Sequence, residues 1–331
     1  MVKPVVLLRT DLAQGYLDLK PNGRKDCCLL AVYWSAIGLW LARPGYMMGV
    51  EVQDPMTRRE MVQGLGGLAA ATATPPARAS DSRPSNGFNL GVCTYSLREF
   101  QRKLAISMIQ QLGVSYVSVK EFHLPYRSTP EEIVKAKSDF QKAGLKIASG
   151  GNIDLKDEDP RVLRPYFEYA RACGMPMMVC APTHKTLPVV EKLAREFDIK
   201  MAIHTHGPED PHFPTPQVVL QAVKDMDPRM GLCMDVGHSM RGGADVVEEI
   251  ANAGPRLLDM HFKDLKNRKE KESQCDVGEG VMPVVAIFRQ LRKIRYRGCV
   301  NLEYEINSDN PLPGMLHSMG YMKGVLAGME A

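Results

Sequence analysis

From residue 88 to the end of the chain, short β-branched apolar runs alternate with amphipathic stretches, which predicts βαβ units around a parallel sheet. The first expected strand is Phe88–Tyr95, with a helix over about Leu97–Leu112 closed by Gly113. The second is Tyr116–Lys120. Its helix starts with Thr129 as N-cap, Pro130 at the first position and Glu131 and Glu132 in the first turn, and Gly144 stops it. Strand three is Leu145–Ala148, running out into Gly150-Gly151-Asn152, and Asp159-Pro160 opens a helix that Gly174 ends. Strand four is Met177–Cys180 with a helix over Leu187–Phe197, and strand five is Lys200–His206 with a helix from Thr215-Pro216. Strand six lies in Gly231–Asp235, with a helix over about Ala244–Ala253. Strand seven is Leu257–Lys263, followed by a long charged loop, Asp264–Gly280, and a helix over about Pro283–Ile294. Strand eight is Cys299–Tyr304, and the last helix covers about Gly314–Gly328.

Eight strand–helix pairs in succession predict a single (β/α)8 TIM barrel over residues 88–331, a length usual for that fold. An open doubly wound sheet is the alternative. The chain has neither GxGxxG nor GxxxxGK[ST], the glycine loops that would place a nucleotide on such a sheet.

The first 87 residues follow a different pattern. Cys27–Ala42 is an uncharged, mostly apolar run between Arg24-Lys25 and Arg43, shorter than the roughly 20 residues of a membrane span. Further on, Arg58-Arg59 precedes a run of small, weakly apolar residues and then Ala77-Arg78-Ala79, an A-x-A cleavage pattern. Residues 56–79 are therefore expected to be a twin-arginine signal peptide, with an Ala/Gly-rich helix and linker as the bland alternative. On that reading translation starts at Met56 and residues 1–55 are an upstream extension. Residues 80–87 form a linker, the twin-arginine translocase is a transient partner, the mature protein is periplasmic or extracytoplasmic, and no membrane anchor remains after processing.

A net charge of +4 spread over 331 residues, without Lys/Arg runs interleaved with aromatics, argues against a nucleic-acid partner. The eight cysteines form no CxxC pair, so neither a disulfide framework nor a zinc knuckle is expected.

The candidate chemistry lies at the strand ends, which in a barrel of this kind form the active-site face. Strand five ends Ile203-His204-Thr205-His206, where a period of two sends both imidazoles to one side. Strand six ends at Asp235, with His238 just beyond the turn at Gly237. Strand seven carries His261, Lys263 and Asp264, and strand eight carries Glu303 and Glu305. A lone strand histidine is usually a satisfied core residue. Four successive strands ending in His, Asp or Glu need another account, because buried charges that merely pair with one another cost several kcal/mol per ion. A bound divalent cation offsets that cost. His204, Asp235, His261 and Glu303 form a mixed nitrogen and oxygen donor set that suits one Mn, Zn, Co or Fe ion. Lys120, His123, His238, Arg241 and Lys263 are the candidate substrate-binding residues.

The motifs Asp235–His238 (Asp-x-Gly-His), His261–Asp264 (His-x-Lys-Asp), Gly278–Gly280 (Gly-Glu-Gly) and Leu302-Glu303 resemble, in order and spacing, the sugar phosphate isomerase/epimerase family of xylose isomerase-like TIM barrels. The resemblance covers about Phe88 to Met329. It implies a metal held by Asp235, His261 and Glu303, and a substrate-binding role for His238. Strand five departs from the family pattern: Leu-Glu-Asn-His-Gly is common there, and here His204 occupies the Glu position. An epimerisation that uses two carboxylates on opposite faces of the substrate carbon is thereby put in doubt, while metal binding is not. What the resemblance implies is proton abstraction beside the carbonyl of a keto-sugar, through an enediolate, with Glu303, His206 or His238 as the proton-transfer group. The outcome would be isomerisation or epimerisation. A 3-keto-glycoside β-elimination on the same site and a non-catalytic sugar-binding barrel are the alternatives. An endonuclease like endonuclease IV would need more His/Glu ligands and a basic DNA face.

Overall fold

In the computed structural model, residues 87–330 are described, and eight parallel strands there close into a barrel. The strands are β1 (Asn89–Cys93), β2 (Tyr116–Val119), β3 (Lys146–Leu155), β4 (Met177–Pro182), β5 (Lys200–His204), β6 (Met230–Asp235), β7 (Leu257–Phe262) and β8 (Cys299–Leu302). Each pairs with its sequence neighbours, and β1 pairs with β8 to close the ring. The expected barrel is therefore the observed one. The extension and export-signal readings fall on residues outside those described.

Among the described residues nine α-helices follow the strands: α1 (Arg102–Gln111), α2 (Pro130–Lys142), α3 (Pro160–Cys173), α4 (Leu187–Phe197), α5 (Pro216–Ala222), α6 (Val236–Arg241), α7 (Val246–Ala253), α8 (Val284–Lys293) and α9 (Leu312–Gly328). Local chemistry sets several of their ends. Thr129 and Glu132 form a capping box at α2, each side chain meeting the other residue's backbone N–H. Gly174 adopts the left-handed conformation that ends α3. Among the described residues no helix is long and apolar enough to cross a bilayer.

Several boundaries differ from expectation. The first helical stretch is broken into a 3-10 turn, Thr94–Leu97, and α1, because Gln101 is extended and starts a new helix. β3 runs on to Leu155, past the glycines expected to end it, and slips register against β4 between Gly150 and Ile153. β5 ends at His204 rather than His206. A short helix, α6, follows Asp235 directly, with Asp235 itself as its N-cap. The charged loop after β7 holds a small antiparallel ribbon, Asp264–Leu265 against Gln274–Cys275.

The lumen is apolar low down, where Met177, Val179 and Ala202 pack together below Cys233. A buried polar group stands level with Cys233, which pairs across the sheet with Asp259. Ser149 Oγ and Asn301 Nδ2 donate to the Asp259 carboxylate at 2.7 and 2.8 Å, and burial pushes the Asp259 pKa up to about 6. The functional side chains sit at the next level.

Candidate metal centre

Three adjacent strands and β8 bring His204, Asp235, His261 and Glu303 to one point at the C-terminal mouth, all buried, with one ligand atom of each within 4.8 Å of the others. His204 Nε2 lies 2.9 Å from His261 Nδ1 and 3.8 Å from Asp235 Oδ2, and His261 Nδ1 lies 3.1 Å from Glu303 Oε1. Nitrogen and oxygen donors sharing one ion at bond lengths near 2.1 Å stand about 3 Å apart, so the set fits a divalent transition metal. Asp235 Oδ2 adds a second sign of fit. It is fully buried and accepts no well-formed hydrogen bond, although the Lys263 ammonium stands 3.0 Å away.

Electrostatics separates the two central imidazoles. Burial, with His206 and His261 nearby, holds the His204 pKa well below the ordinary imidazole value. Burial pulls His261 the same way, but the facing Cys233, Cys93 and Glu303 reverse it and hold its pKa well above. Burial pushes both thiols up to about 12, which keeps them neutral. The Glu303 carboxylate is therefore the partner that keeps a proton on His261. Glu303 is itself raised by burial, but His261 and Lys263 outweigh that and hold it well below the usual carboxylate range.

Lys263 is the cation of the site. It is almost fully buried, 3.0 Å from Asp235 Oδ2 and 3.0 Å from Glu303 Oε2, and it is also paired with Glu305. Burial lowers its pKa, and the three carboxylates raise it further, to well above the ordinary lysine value. The residue expected to meet substrate thus neutralises the cluster. Asp264, next in sequence, explains why His-x-Lys-Asp and Gly-Glu-Gly occur together. Its Oδ1 accepts from the N–H groups of Leu265 and Met282, and its Oδ2 from those of Gly278 and Gly280, at 2.8–3.2 Å. A Cβ at Gly280 would collide with that carboxylate.

His206 and His238 flank the cluster, with ring centroids 4.4 and 6.2 Å from His204. His206 Nδ1 stands 3.1 Å from Asp210 Oδ2, and Asn152 Nδ2 lies 2.8 Å from His206 Nε2. The amide can only donate there, so Nδ1 carries the proton. His238 is the reverse. Arg241 Nη1 lies 3.2 Å from its Nδ1, which leaves Nε2 as the N–H. Burial, eased by Asp235, holds the His238 pKa below the ordinary imidazole value, so the ring is neutral at pH 7. Arg241 also pairs with Glu209. A cavity of about 420 Å³ opens beside His206, lined by Asn152, Lys156, Glu209 and Asp210 among others.

Two of the candidate substrate residues have structural partners. Lys120 Nζ donates to Asn152 O at 2.8 Å and pairs with Glu121. His123 takes no part in the cluster. It is buried with Nε2 bonded to Phe100 O at 3.1 Å, and burial lowers its pKa. Its place as a polar residue just past a strand end gave it the look of a site residue. Asn152 and Asp210 escaped sequence reasoning, and Glu305, read there only as a strand-end acid, is the third carboxylate on Lys263. Asp210 had one usable signal, an acid four residues after a strand-end histidine.

The family model described as Xylose isomerase-like TIM barrel matches residues 106–325, and the chain belongs to that family. A curated relative, an uncharacterized protein of Methanocaldococcus jannaschii, is 28% identical over 126 residues; the match covers 36% of this chain and 41% of that protein, well under its full length. A solved D-psicose 3-epimerase superposes with a TM-score of 0.59 at 16% identity, covering 73% of this chain and 100% of that one. The probable 3-DHS dehydratase of petrobactin synthesis from Bacillus anthracis superposes with a TM-score of 0.59 at 13% identity, covering 71% and 99%. At these identities the structural likeness is one of fold.

Proposed function

We propose that the protein is a divalent-metal-dependent carbohydrate enzyme that removes a proton beside the carbonyl of a keto-sugar. The observation that carries this reading is the convergence of His204, Asp235, His261 and Glu303 on one buried point beside a cation, Lys263. A divalent ion held by those four residues supplies Lewis acidity toward a substrate carbonyl and hydroxyl.

The chain's own residues have divided tasks. His206 presents Nε2 as an acceptor, its ring fixed by Asp210, and is positioned to take a proton once substrate displaces Asn152. His238 presents Nε2–H, a donor for developing negative charge on oxygen. Glu303 remains an ionised carboxylate. Isomerisation or epimerisation is the first outcome.

His204 in place of a carboxylate favours a second outcome, β-elimination from a 3-keto-glycoside, which needs one base and one acid. A protein of the same fold, from Bacillus anthracis, carries the printed name of a probable dehydratase. The twin-arginine motif at Arg58-Arg59 supports export of the enzyme to the periplasm.

The test is elemental analysis of the full chain beside His204→Ala and Asp235→Ala, followed by incubation with keto-sugars and 3-keto-glycosides in deuterated water. About one transition metal per chain, lost in both variants, with deuterium entering the carbon next to the carbonyl, is expected. Aglycone release selects the elimination. Folded protein that takes up neither Mn, Zn nor Co would leave only a sugar-binding barrel.

A further inference from the structure

The pole of the barrel opposite the metal cluster carries a larger cavity, of about 800 Å³. The first residues of β1 to β5, β7 and β8 border it, whereas the cluster sits at the strands' last residues. Its lining is apolar where Met177 and Leu258 face it, and it also includes four cations, Lys146, Lys200, Arg295 and Arg297. Among the described residues no carboxylate lines it. Among the described residues none pairs with Lys200, Arg295 or Arg297. The Lys146 ammonium stands over the Tyr116 ring, 5.9 Å from its centroid. An apolar pocket of this size with a few convergent charges of one sign is the usual form of a small-ligand site.

Arg295 adds an independent observation. It ends α8 in the left-handed conformation, with φ of 55°. Its N–H donates to Arg292 O, and the next N–H, from Tyr296, donates to Leu291 O, both at 2.9 Å. The ends of α2 and α3 make the same pair of bonds, and there the left-handed residue is glycine, Gly144 and Gly174. Glycine is the unstrained choice at this position. A side chain is thus kept where the backbone disfavours a β-carbon, and Arg295 is one of the residues that line the cavity. Backbone strain of this kind is retained where the side chain has a task.

We propose that this basal cavity binds a small amphiphilic anion, a carboxylate on an apolar body, with the carboxylate on Lys200, Arg295 and Arg297 and the body against Met177 and Leu258. The guanidinium fork suits a planar carboxylate. The site is separate from the metal cluster and stands whatever reaction the cluster performs.

The test uses the full chain and the fluorescent probe 1-anilinonaphthalene-8-sulfonate, itself an apolar body with one anionic group. Expected is one saturable site from which decanoate displaces the dye, while decanol and inorganic phosphate displace it about tenfold less well or worse. Competition by decanol as strong as by decanoate would mean a merely greasy surface. Competition by phosphate alone would mean a simple anion site. Either overturns the proposal. Arg295→Gly is expected to raise the melting temperature while weakening dye binding about tenfold, opposite signs that a purely structural arginine would not give. Lys200→Glu with Arg297→Glu is expected to weaken binding at least as much and to leave the metal content unchanged. No saturable binding in the wild type, or equal binding in these variants, overturns the assignment.

Discussion

His204 Nε2 and His261 Nδ1 face each other at 2.9 Å in the barrel mouth, and burial leaves them no water to separate them. Two bare lone pairs at that distance repel, so the metal-free pair holds one proton, on His261. A metal needs both lone pairs, so loading must displace that proton. Because the folded pKa of His261 is raised, the proton is fully held below the ordinary imidazole range and lost only as pH rises above it. Metal affinity is therefore expected to fall steadily as pH is lowered through neutrality. Calorimetric titration with Zn or Co in buffers of different ionisation enthalpy should report release of about one proton per ion. A metal affinity that does not vary between pH 6 and pH 8 would contradict this account.

Lys263 stands between Asp235 and Glu303, so its removal should be felt first by the metal-free protein. Lys263→Met keeps most of the stem volume and strips the cation from two buried carboxylates. The expected cost is about 3–5 kcal/mol in the metal-free state. Metal should restore most of it, since a divalent ion supplies the missing positive charge. Thermal unfolding with and without Mn or Zn checks this: the gain in melting temperature on adding metal should be larger in the variant than in the wild type.

The barrel and four of its site residues were legible in the sequence because both depend on period. A β-branched run with a period of two fixes which side chains enter the lumen, and a strand end fixes the level, so His204, Asp235, His261 and Glu303 could be placed together without coordinates. Thr129 and Gly174 were legible for the same local reason, since a cap is a contact within one turn. Long-range contacts were not. His123 sits past a strand end as the site residues do, yet a partner 23 residues away, Phe100 O, holds its ring away from the cluster, whereas Lys120 is held beside His206 by Asn152, 32 residues on. Asn152 meets His206 only because β3 continues past Gly150 and Gly151, where pattern reading ends the strand. At Gly151 a Cβ would strike Val179 O, and that close approach of two backbones leaves no hydrophobic signature.

Asp264 is expected to control the loop that follows it, with no part in metal binding. Its fully buried carboxylate accepts four backbone N–H groups, and Asp264→Ala would leave those donors without a partner. Bonds to a charged acceptor are worth about 1.5–3 kcal/mol each, and partial relaxation offsets some of that loss. A net destabilisation of at least about 3 kcal/mol is expected. Limited proteolysis should open new cleavage sites between residues 265 and 283 before the barrel unfolds. Asp264→Asn, which keeps one acceptor oxygen, should fall between the wild type and Asp264→Ala.

Glu249, on α7, offers a stability test well away from the cluster. Its Oε1 accepts from Gln217 and Asn252, and its buried Oε2 has no partner. Burial, with Glu248 and Asp245 nearby, raises its pKa above the ordinary 4.5, and the two amides only partly oppose this. A raised carboxylate pKa favours the folded state at low pH. That contribution is complete below about pH 4.5 and is lost as pH rises through the folded value. Glu249→Gln removes the charge and with it the loss. At pH 7 the variant is expected to be more stable than the wild type by about 1 kcal/mol, with the amide's unpaired N–H limiting the gain. At pH 4 the two should coincide. Urea unfolding at both pH values decides the matter. A variant less stable at pH 7 would mean that the Glu249 carboxylate is satisfied by a group that lies outside this hydrogen-bond network.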